Sequence, residues 1–145
     1  MKSQLSAEDL GITEEQKENL NKILSFAKTH PDLAFDIRWF IAGREANFHL
    51  HNDATYTPVP QTHPCGTSCC LAGMGLQAGI KPTEDETWGD YIFRVYGIDE
   101  MTNEFNFLFS ASHTNSLPAA IRRLEYFLTE GLPDTDDFES YEIPA

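Results

Sequence analysis

The chain has 145 residues, 41% of them hydrophobic, and a formal net charge of −13 from 23 acids and 10 bases. That length suffices for one domain with its own core, burying roughly 70% of the unfolded chain's surface, while the acidity opposes unaided attachment to nucleic acid or to an anionic membrane. No apolar run reaches the roughly 18 residues that cross a bilayer, three cysteines with two adjacent make no disulfide framework, and Met1-Lys2-Ser3-Gln4 leads into acidic sequence rather than a signal-peptide core, so a reduced, cytoplasmic setting is expected.

Residues 1 to 12 offer few core candidates and read as loosely attached, although Leu5, Leu10 and Ile12 could dock on a neighbour. Thr13 opens a helix, with Gln16 completing a capping-box pattern and Leu20, Ile23, Leu24 and Ala27 forming the buried stripe. Glu14, Glu15 and Glu18 lie in its first turns, where the macrodipole favours negative charge. His30-Pro31-Asp32 ends it, because the residue before a proline is pushed away from helical dihedrals. A second helix is expected from Asp32 to Ala42, where Leu33, Ile37, Phe40 and Ile41 keep helical spacing and Gly43 stands as a C-cap. Phe48-His49-Leu50-His51 alternates like a short strand near 47–51, and Asn52 to Pro64, with three prolines, reads as a loop.

The stretch from Cys65 to Gly79 is small or apolar almost all the way round, which marks a buried helix over residues 67–78 at the centre of the fold. Ser68, Ala72, Gly75 and Gly79 share one arc, a face that lets another backbone come close. Gly73 and Gly75 each cost about 1 kcal/mol of helix propensity relative to Ala, so close packing should offset them. Gly79 and Pro82 then stop the chain, and Thr83 with Glu86 forms a second capping-box pattern. The helix that follows carries Trp88, Tyr91, Ile92 and Val95 toward the core and ends at Gly97. Asp99 to Phe109 reads as a short amphipathic helix bearing Met101, Phe105, Leu108 and Phe109.

Ser116 caps the last helix, with Pro118 in its first turn, Ala120, Ile121, Leu124, Phe127 and Leu128 as its stripe, and Gly131 at its end. From Leu132 onward Asp134, Asp136, Asp137, Glu139 and Glu142 occur without one base, so residues 132–145 read as a flexible acidic tail, with Phe138, Tyr141 and Ile143 able to dock. The expected fold is mainly all-α: a single domain over 1–131, a compact bundle of about five helices around the central buried one. No internal repeat is present.

Cys65-Gly66-Thr67-x-x-Cys70-x-Ala72-Gly73 resembles the C-G-T-x-x-C-x-A-G signature of a group of small, largely uncharacterised phage and bacterial proteins, in which it opens a helix rich in small residues. The resemblance extends from Phe48–Asp53 through Tyr96-Gly97-Ile98 and Phe107-Leu108-Phe109 to the capped helix at Ser116–Leu124, roughly residues 48 to 130. Cys69 is additional to the pattern, and Met74 stands where a bulkier aromatic or histidine is common. The resemblance implies a small helical domain of phage-like origin, in the host cytoplasm if phage-encoded, and carries no catalytic residue.

Two constellations could bear chemistry. Cys65 at a helix start, where free N–H groups lower a thiol pKa, with His63 two residues away, is half of a cysteine-nucleophile arrangement; His113 and Asn52 are the other candidate partners. His49-x-His51 and His63-x-Cys65 offer four donors of types that suit zinc, though without the paired C-x-x-C spacing of known modules. Against these, small buried cysteines are common core residues, and Tyr91, Phe93 and Tyr96 beside Trp88 read as core aromatics rather than a ligand pocket. Gly73-Met74-Gly75 is followed by neither Lys nor Arg and cradles no phosphate.

The expectation is therefore a binding protein rather than an enzyme, with no cofactor and no bound metal. Its partner is a protein with a basic surface, met by Glu84, Asp85, Glu86, Asp99, Glu100, Asp134, Asp136 and Asp137. Inhibition or redirection of a host or defence factor fits a phage-type origin. The alternative is a cysteine-dependent or zinc-containing enzyme centred on Cys65.

Overall fold

The computed structural model describes residues 3–32, 71–99, 101–109 and 116–138. Among these the chain is all-α, with six helices and no strand: α1 (Ala7–Leu10), α2 (Glu14–Thr29), α3 (Met74–Gln77), α4 (Trp88–Tyr96), α5 (Asn103–Leu108) and α6 (Leu117–Glu130). The helix expected over 32–42 and the strand near 47–51 lie outside the described residues.

The longest element, α2, is also the one against which α1, α3, α4 and α6 all pack, while α5 lies on α6. Its start follows the capping-box pattern: the Thr13 hydroxyl accepts from the Gln16 N–H at 3.1 Å, and Gln16 Oε1 accepts from the Thr13 N–H at 2.9 Å. Leu20 and Ile23 are fully buried, each contributing about 1.5–3 kcal/mol by leaving water. The other end of the same Gln16 side chain donates to the carbonyls of Phe93 and Arg94 at 3.3 and 3.2 Å, and Asn19 donates to that of Val95 at 2.9 Å. Two amides of α2 thus occupy carbonyls in the last turn of α4, where those of Arg94 and Val95 are among the groups a helix leaves without an internal partner and that of Phe93 also accepts from the Gly97 N–H. Gly97 caps that end at φ 74°, and a Cβ there would fall on Gln16 Oε1 and 2.6 Å from Ile12, so both conformation and space require glycine.

The N-terminal segment is docked rather than loosely attached, with Leu10 and Ile12 packed against the core. Ser6 caps α1 by accepting from the Asp9 N–H, Gly11 closes it, Ala7 is buried, and the Leu5 N–H donates to the Leu128 carbonyl at 2.7 Å. One turn is too short to show a periodic stripe, and the caps hold it.

On α4, residues 88, 91, 92, 95 and 96 are all buried, the i, i+3, i+4, i+7, i+8 spacing of one helical face. The helix begins after Thr87, whose hydroxyl accepts from the Asp90 N–H, and not after Thr83. Likewise α5 begins after Thr102, leaving Met101 87% exposed instead of in the core, whereas Phe107, absent from the expected apolar face, is fully buried. The final helix has the expected Ser116 cap, early proline and glycine end. Beyond it Pro133 is buried, and Leu132 and Phe138 pack against the core.

Candidate functional site

The segment carrying the cysteine motif is described from Leu71 onward. Leu71, Ala72, Gly73, Met74 and Gly75 are buried, as a central helix requires, but the α-helix spans only Met74–Gln77. Before and within it the N–H groups of Met74, Gly75 and Leu76 reach back three residues, to Leu71, Ala72 and Gly73, a tighter winding than α. Among the described residues, what lies nearest the small face at Gly75 is side chain rather than backbone. Two tyrosines from α4 fill it: a Cβ on Gly75 would fall on the Tyr91 hydroxyl and 2.5 Å from that of Tyr96. Those hydroxyls donate to the carbonyls of Ile80 at 2.5 Å and Ala72 at 3.1 Å, spanning the short helix like a clasp. Burial pushes the Tyr91 phenol well above its ordinary value, with Arg94 opposing and Glu86 adding to the shift, so it remains a donor. This arrangement is structural: glycine makes room for polar groups that satisfy buried carbonyls.

The candidate nucleophile Cys65, its candidate partners His63, His113 and Asn52, the zinc candidates His49 and His51, and the acid Glu100 all lie outside the described residues. Among the described residues no three His, Cys, Asp or Glu side chains group as metal ligands would.

The remaining expected partner-binding acids divide. Glu84 and Asp85 are exposed on the turn before α4, Asp99 is exposed beyond its other end, and Asp134, Asp136 and Asp137 are exposed after α6. Nine residues of α4 separate the first pair from Asp99, about 13 Å at 1.5 Å per residue, more than the Debye length of about 8 Å at physiological salt. They do not form one patch. Glu86 is a correction: it is buried, and its carboxylate holds Arg94 in a two-pronged pair, 2.7 Å to Nε and 2.8 Å to Nη2. It also accepts from the Thr83 N–H at 3.0 Å, so the Thr83–Glu86 pattern builds a tight turn, with Asp85 at φ 59°, rather than a helix start. Burial would raise the Glu86 carboxyl, but Arg94 and the Thr83 N–H outweigh it and hold the group below its ordinary value. Arg94 further donates to the Lys81 carbonyl and lies 5.8 Å above the Tyr91 ring.

What the sequence did not reveal is which acids the fold brings toward one another. Gln16 touches the end of α4, and the charge of its neighbour Glu15 is felt at Arg94. The exposed Glu15 of α2 is thus near Arg94, whose own charge is matched by Glu86, and the exposed Glu84 and Asp85 belong to the turn that presents Glu86. Arg123 is a second buried charge that was missed; burial, with Arg122 beside it, pushes its pKa down to about 10. Its spacing four before Phe127 and three after Ala120, on the apolar stripe of α6, was the available signal.

No family model matches the chain, and neither a curated protein nor a solved structure matches it significantly. No described helix is long and apolar enough to cross a membrane.

Proposed function

We propose that this chain is a phage-type binding protein that acts in the host cytoplasm by engaging a protein with a basic surface, inhibiting or modulating a host or defence factor. The observation that carries the reading is the surface around Arg94. Glu15 stands near it with Glu14 beside, Glu84 and Asp85 are exposed on the adjoining turn, none of the four enters an ion pair among the described residues, and Arg94 itself is already matched by Glu86, with Lys81 the other base at the turn. A local excess of acids over bases favours an oppositely charged partner and speeds its encounter. Asp99 and the acids after α6 add to the net field rather than to this face. The chemistry needs no cofactor, and direct nucleic-acid binding is opposed by the charge of −13.

The test is affinity capture from a host lysate, with partners identified by mass spectrometry, using wild type, Glu14→Gln/Glu15→Gln/Glu84→Gln/Asp85→Asn and Cys65→Ala in parallel. The binding reading expects a partner retained by wild type and Cys65→Ala and depleted with the neutralised chain. Loss of biological effect in folded Cys65→Ala, with the neutralised chain fully active, would instead favour the enzyme centred on Cys65.

A further inference from the structure

We draw no further inference here: the strongest candidate, the groove of about 410 Å³ between the end of α2 and the first turns of α6, floored by Ala27, Leu117 and Ile121, is an apolar face whose rim lysine Lys28 is already paired with Glu125, and nothing in the structure shows what covers it.

Discussion

Replacing Gly75 by alanine sets two effects of opposite sign against each other. In a helix the exchange is worth about 1 kcal/mol in favour of alanine, and Gly75 lies in α3 with a backbone that alanine can adopt. The added methyl, however, would occupy the positions of the Tyr91 and Tyr96 hydroxyls. Forcing bulk into a packed core costs about 1–3 kcal/mol, and displacing the bonds to the Ile80 and Ala72 carbonyls costs about 1 kcal/mol each. The balance is a loss of about 2–4 kcal/mol, and leucine should be worse than alanine. Urea unfolding followed by circular dichroism measures it, with the midpoint falling and the slope unchanged. Tyr96→Phe removes one of the two hydroxyls, so it should cost less in the Gly75→Ala background than in wild type, with a coupling of about 1 kcal/mol or more. A Gly75→Ala protein as stable as wild type, or more so, would refute the packing account.

Gln16→Ala should lose about 1–2 kcal/mol, since one side chain serves the start of α2 and the end of α4; Gln16→Glu, which keeps the capping acceptor, should still lose about 1 kcal/mol because it aims a carboxylate at the negative end of α4. Both are read from thermal or urea melts. The depressed Glu86 pKa contributes stability that is present above the ordinary carboxylate value and lost as pH falls through the folded one, so Glu86→Gln should flatten the acid limb of the stability–pH curve; an unchanged limb would contradict the pair's role. Elemental analysis of protein purified without added metal should give well under one zinc per chain, and stoichiometric zinc lost on His49→Ala or Cys65→Ser would move the reading to a metal centre.

How legible these features were depended on whether a residue's local pattern or its distant partner decided its place. The helices α2, α4 and α6 combine a cap with an apolar stripe, and both signals are local. The first helix, capped by Ser6 and Gly11, has only four residues, too few for periodicity. The stretch before Gly79 was read as longer than the helix described there because its composition suits burial in any conformation; three glycines do not propagate a helix, and tyrosines distant in sequence accommodate the tighter winding. Glu86 looked like one more surface acid in a run of three because its partner Arg94 sits eight residues on and the Thr83–Glu86 turn that presents it is invisible to a helical template. Met101 was assigned to an apolar face by spacing alone, whereas the Thr102 cap starts α5 after it. The acids around Arg94 come from α2 and from the turn before α4, so only the packing of α2 against α4 could reveal them.

The association rate of the captured partner, measured by stopped flow across ionic strength, tests the acidic-surface reading most directly. Electrostatic steering predicts a rate that is fast at low salt and falls steeply as the Debye length shrinks, with the slope reduced by neutralising Glu14, Glu15, Glu84 and Asp85 and unaffected by Cys65→Ala. A rate independent of salt, or equally steep in the neutralised chain, would contradict it.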